Sequence, residues 1–218
     1  MTHKEVVNKV KGILNEHGEV DALSIGDDRV QLENYINVAI PDAVIMLAQK
    51  GYRVNVVRGK DEDEIPFVST TGGFAPEDFV SLVSFVMPLW KKIVTKVTER
   101  ESPEFAIAQN EYTRPGVNTP MVYMGPVGEL YGLPQPSKEY LEKEPEADKA
   151  IVFYNAKYNP YKADAETGEM VVDENYELKA APKEATAVCY MAAALVLGMF
   201  GDDQGKQRLS DISTNLLN

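Results

Sequence analysis

Apolar residues recur along the first fifty positions at helical spacing. Val6, Val7, Val10, Ile13 and Leu14 form one stripe of a helix expected over 4–15, with Gly18 close by to stop it. After a connector at 20–28, a second helical pattern over 29–49 carries Val30, Tyr35, Ile36, Ala39, Ile40, Ala43, Val44 and Leu47. Pro41 falls inside that pattern, so the helix is expected to kink there or to split, with Pro41 opening the second half. The stretch 182–201 differs in kind, because from Ala187 to Phe200 no side chain is charged or strongly polar. Pro182 suits the first helical position, Glu184 the first turn and Gly201 the C-terminal cap. The run is shorter than the roughly 18 residues that read as a membrane span. A helix apolar all round needs protein on several sides. This helix is therefore expected at the centre, with Ala194 and Gly198 marking a close approach. Leu209, Ile212, Leu216 and Leu217 predict a short final helix.

Between the helices the period shortens. Arg53–Arg58 and Ile65–Ser69 flank the acidic turn Asp61–Glu64, which predicts a hairpin within 52–74. The run 79–90 reads as a short helical turn passing into a strand, with Pro88 favouring an edge strand or a strand end over a central strand. Ser102-Pro103-Glu104 supplies a cap, a first-position proline and a first-turn acid for a helix through about Tyr112. Short β-like runs at 119–124, 129–133, 150–156 and 169–172 are separated by Pro, Gly and acidic turns. They predict an antiparallel β subdomain inserted over 116–175. The expected fold is α+β: one domain over 1–218, with a helical core of about four to six helices and inserted antiparallel β hairpins.

Composition is ordinary for a globular chain, with 44% hydrophobic and 26% charged residues, but the net charge is −12. That excess argues against broad binding to a phosphate backbone, which draws on clustered Lys and Arg. Only short basic strips occur, such as Lys91-Lys92 with Lys96. The single Cys189 excludes an internal disulfide and points to a reducing compartment. Met1 to Gly18 is charged throughout and offers no signal-peptide core, so synthesis and assembly in a cytoplasm, away from membranes, are expected.

Candidate chemistry is sparse. Gly201-Asp-Asp-Gln-Gly205-Lys206 has glycines too close together for a phosphate loop, and Gln207 stands where Ser or Thr should be. Asp164–Glu169 resembles a calcium loop in composition alone; Thr167-Gly168 suffices for a β-turn. Cys189 reads as a small core filler, and nothing in the sequence pairs His3 or His17 with a nucleophile. Glu139, Glu142, Glu144, Glu146 and Asp148 read as a solvated acidic loop. No cofactor and no metal are expected. Trp90 and the tyrosines at 112, 123, 131, 154, 158 and 161 have little basic charge beside them and suit cores or protein interfaces better than stacked bases.

The residues do resemble one family. Tyr35-Ile36 with Ile40-Pro41-Asp42-Ala43-Val44, then Pro76-Glu77-Asp78 running into 79–85, and Leu89-Trp90-Lys91-Lys92-Ile93-Val94 carry the likeness. So do Glu101-Ser102-Pro103-Glu104-Phe105-Ala106, Asn110 to Arg114, and the Ala-rich helix followed by Gly201-Asp202-Asp203. Together they are similar to the ring-forming head–tail connector (adaptor) proteins of tailed bacteriophages, closest to those of crAss-like podoviruses. The resemblance implies a virion structural protein, not an enzyme, that forms a homo-oligomeric ring, dodecameric in the family's manner. It would dock on the portal protein, meet other tail or ring proteins, and let DNA pass without tight binding. It further implies subunit or portal contacts at Trp90, Tyr112, Arg114, Tyr123 and Tyr154. An acidic lumen would draw on Asp61, Glu62, Asp63, Glu64, Glu142 and Glu144. The alternatives are a small cytoplasmic enzyme with a carboxylate-based site and another phage tail-completion protein.

Overall fold

A computed structural model describes residues 1–16, 29–59, 76–126 and 129–218. In chain order the first elements are α1 (His3–Glu16), α2 (Arg29–Gln49), β1 (Val56–Arg58), β2 (Phe79–Val86), β3 (Val97–Thr98), α3 (Pro103–Ala108), β4 (Met121–Met124) and β5 (Leu130–Leu133). They are followed by α4 (Lys138–Lys143), a 3-10 turn (Pro145–Asp148), β6 (Ile151–Ala156), β7 (Tyr161–Ala163), β8 (Met170–Val172), α5 (Pro182–Met199) and α6 (Asp203–Leu217). The fold is α+β with a helical core, as the sequence leads one to expect. Two compact units divide the chain: residues 1–56 with 156–218, and residues 57–155. The segment 116–175 therefore spans a unit boundary, with β4, β5 and most of β6 on one side and the β7–β8 hairpin on the other.

In the first unit α5 packs against α1, α2 and α6. Ala187, Val188, Cys189, Met191, Ala192, Ala193, Ala194, Val196 and Leu197 are all buried along it. Gly201 (φ +83°) reverses the chain after α5, a conformation that glycine enters without a Cβ penalty. Asp202 then accepts a bond from the Gly205 amide (2.9 Å) and caps α6. The last helix is therefore longer than its apolar residues suggest, because it starts at that cap. Ser213, buried on α6, donates to the Ala187 carbonyl at 2.8 Å and fixes the helix pair.

α1 opens on a reciprocal cap: the Glu5 amide bonds Thr2 Oγ1 (3.3 Å) while Glu5 Oε2 accepts from the Thr2 amide (2.9 Å). The free amides of His3 and Lys4 donate to the carbonyls of Tyr176 and Glu174, so the segment after β8 closes the helix end. α2 runs through Pro41 unsplit. Proline removes the amide that the Asn37 carbonyl would accept from, at a cost of about 3 kcal/mol or more. Ile36, Ile40, Val44 and Leu47 are fully buried on that helix. At about 1.5–3 kcal/mol each, an upper estimate, their burial outweighs the proline.

The second unit contains the sheet β1-β6-β2 and the sheet β3-β4-β5, the latter with a parallel β3–β4 pair and an antiparallel β4–β5 pair. The neighbour of β1 is β6; the second strand and turn of the hairpin expected over 52–74 lie outside the described residues. Residues 79–86 are strand from the start, preceded by a turn at 77–78, and the strand stops before Pro88. α3 has the expected cap, with Ser102 Oγ accepting from the Phe105 amide, but ends at Ala108 where a turn takes over. The acidic run 139–148 is helix α4 and a 3-10 turn, not a loop; Ser137 caps α4 through the Tyr140 amide. Sequence charge concealed that cap.

Two glycines of the α5–α6 corner separate close approach from tolerance. A Cβ at Gly205 would meet the Asp202 carboxylate and Leu197 Cδ1, whereas at Gly198 it would meet only the side chain of Lys206. Gly198 thus faces a flexible side chain and not a tight core contact. Gly205→Ala is expected to destabilise by about 1–3 kcal/mol, while Gly198→Ala is neutral or stabilising because alanine favours a helix interior. Thermal denaturation of both variants checks the pair; equal midpoints would contradict the assigned corner.

Candidate functional site

The first unit holds a cleft of about 360 Å³ lined by His3, Lys4, Val7, Asn8, Lys11, Glu33, Asn37, Val172 and Glu174. α1, α2 and the segment around β8 supply these side chains. Two ion pairs bracket it, Lys4–Glu174 at 2.7 Å and Lys11–Glu33 at 2.6 Å. The Lys4 partner holds the Glu174 carboxyl below the usual range, and Glu174 raises the Lys4 ammonium. Both side chains of that pair are largely exposed, so it contributes little to stability.

His3 is buried, 1% exposed, and both ring nitrogens are engaged. Nδ1 lies 3.1 Å from the Tyr158 hydroxyl and Nε2 lies 3.0 Å from Asn37 Oδ1. Burial lowers the imidazole pKa, against the Asn37 bond and the nearby Glu33, Glu174 and Asp173, which raise it. The neutral ring then donates Nε2–H to Asn37 and accepts the Tyr158 O–H at Nδ1. Tyr158 stacks on His3, meets Tyr176 edge-on at 5.0 Å, and has its hydroxyl pKa pushed up, chiefly by burial. A ring with one proton donated and its lone pair occupied has no vacancy for a substrate proton. The cluster ties α1, α2 and the segment 158–176 together. Sequence reading missed it, since His3, Asn37 and Tyr158 lie far apart; Thr2-x-x-Glu5 was the one local signal that fixed His3 at the first helical position.

The other expected features fall out as follows. Trp90 is 7% exposed; its indole donates to the Pro134 carbonyl at 2.9 Å and packs on Phe85 and on Gly132, where a Cβ would come within 2.8 Å of the ring. Tyr154 is buried too and donates to Asp78 Oδ1 at 2.8 Å, a bond which, after burial, raises its hydroxyl pKa. Both rings thus serve the interior of their own unit. Tyr123 is half-buried in a ladder with Tyr131 and Phe105. Tyr112 (93% exposed) and Arg114 stand in water. Glu142 and Glu144 are exposed, while Asp61, Glu62, Asp63 and Glu64 lie outside the described residues.

Asp164 is satisfied within the β7–β8 turn, accepting from the amides of Glu166 and Thr167, which hold its pKa low, and Gly168 takes φ +72°. Cys189 is fully buried and its thiol is pushed up to about 11 by that burial. Among the described residues no group of three or more His, Cys, Asp or Glu could hold a metal ion. No helix of the described residues is long and apolar enough to cross a membrane. In comparisons with known protein families and with curated proteins, nothing matches the chain.

The His3 cluster has a pH signature. Its folded pKa lies below the ordinary 6.5, so between the two values the unfolded chain binds the extra proton. Stability is whole above 6.5, falls as pH drops below it, and levels off beneath the folded pKa. Denaturant midpoints measured from neutral to mildly acid pH should decline, and His3→Gln should flatten that decline while lowering stability at neutral pH. An unchanged slope in the variant would remove His3 as the cause.

Proposed function

We propose that this chain is a head–tail connector of a tailed bacteriophage, a virion protein that forms a ring on the portal and extends the DNA channel towards the tail. The observation that carries it is the apolar surface left on both units. Val38 in the first, and Ile93, Ile107 and Tyr112 in the second, are each more than half exposed. Exposed apolar residues beside charged ones, as Ile93 is beside the exposed Lys91 and Lys92, suit protein partners. The segments that resemble connectors agree with such a role. Ser102-Pro103-Glu104 is a helix start, Ile40-Pro41 lies within α2, and Leu89-Trp90 leads into a packed indole. They are framework residues, as a protein that works by assembly needs.

The net charge of −12 fits a conduit. Each phosphate neutralised by the wall would add affinity through counterion release and hold the DNA back. Exposed acids such as Glu142 and Glu144 are suited to the bore. The expected outcome is rings by negative-stain imaging with the portal protein, and no appreciable DNA binding in a titration at about 50 mM salt, where electrostatic affinity is strong. Tight, salt-sensitive DNA binding would remove the lumen; absence of rings on the portal would remove the connector.

A further inference from the structure

We infer that two different surfaces of this chain pair between copies: the outer ridge of α2 with the end of α5 on one copy, and the lysine-flanked Ile93 segment on the next. The inference rests on the ring reading for its choice of a second copy as occupant. Tyr35, Val38, Asp42 and Met46 are spaced by three, four and four, which puts them on one side of α2. All four are exposed, while Ile36, Ile40, Val44 and Leu47 fill the core from the other side. The Tyr35 ring meets Phe200 edge-on at 5.1 Å, so the ridge continues onto the exposed Met199 and Phe200 at the end of α5. Asp42 sits in the middle of this apolar surface with no hydrogen bond or ion pair among the described residues.

The second surface has the opposite charge. Ile93 is 62% exposed, and Lys91, Lys92 and Lys96 around it are exposed with no ion pair to their ammonium groups among the described residues. In a chain with 34 acidic and 22 basic residues, three unpaired lysines within six positions are a local reversal of sign. Each surface thus has an apolar centre and an unneutralised charge, and the charges are complementary. Charge also selects the mode of pairing. A two-fold contact of ridge on ridge sets Asp42 towards Asp42, and one of Ile93 segments sets lysines towards lysines. Ridge on lysine segment opposes unlike charges. It is a head-to-tail contact, the kind that closes into rings.

The test uses the full chain with Val38→Gln on the ridge, which removes its apolar centre without adding a charge for the lysines to pair with, and the double variant Lys91→Glu/Lys92→Glu on the other surface. All three positions are exposed, and circular dichroism verifies the fold. Sedimentation should show wild-type assemblies, and self-association weakened about tenfold or more in each variant alone. Each variant keeps one good surface, so their equimolar mixture should give one-to-one dimers and nothing larger. If the wild type assembles and either variant assembles equally well, the inference falls and the ring reading stands. A mixture that stays monomeric also overturns the pairing. If the wild type forms no rings alone or on the portal protein, the ring reading falls and takes the inference with it.

Discussion

The structure depends on enclosing α5. A helix with nearly every residue of its middle three turns apolar cannot present a face to water, and it lacks a polar side on which to rest. α1, α2 and α6 supply the cover. The small side chains Ala192, Ala193 and Ala194 let those neighbours approach, and among the described residues three helices make the enclosure. The two ends of the sequence must therefore meet, since α1 and α2 come from one end and α5 and α6 from the other. The main-chain bonds of His3 and Lys4 to Tyr176 and Glu174 are the seam of that meeting.

Asn55 is the matching seam where the chain leaves the helical unit. Its side chain donates to the Ala156 carbonyl and accepts from the Lys179 amide, and its carbonyl accepts from the Ala156 amide. A buried asparagine that satisfies two strangers in sequence fixes register more than it adds stability. The unit of 57–155 begins and ends beside it, so a long excursion of chain leaves and returns at one pinned point. That excursion carries its own sheets and aromatic ladder.

Much of this was legible in sequence where the signal is local. The 3.6 period gave α1 and α2, Gly201 gave the corner, and Ser102-Pro103 gave the start of α3. The strands at 121–124, 130–133, 151–156 and 170–172 lie inside the β-like runs. What sequence concealed has a common cause. Pro41 is a local breaker overruled by long-range burial, α4 hid beneath its charge, and the His3–Asn37–Tyr158 cluster joins residues 34 and 155 positions from His3. For Trp90 and Tyr154 aromatic type left core and interface roles both open, and the resemblance implied contacts there. Their hydrogen bonds inside the second unit, to Pro134 and Asp78, were not visible in sequence.

The net charge places a limit on how copies of such a chain can meet. Two bodies of charge −12 repel one another, yet at physiological salt that repulsion is screened over about 8 Å. Distant carboxylates then matter little to a contact, and the few charges at its edge matter most. Sequence-wide acidity therefore does not oppose association; it decides which surfaces can be used. A surface of average composition on this chain is acidic and meets its own kind poorly. The ridge around Asp42 has one carboxylate amid apolar side chains, and the segment around Ile93 has none between Lys91 and Lys96. An acidic chain that associates with itself is thus driven towards its rare basic segment, and since that segment cannot pair with itself, towards contacts between unlike faces.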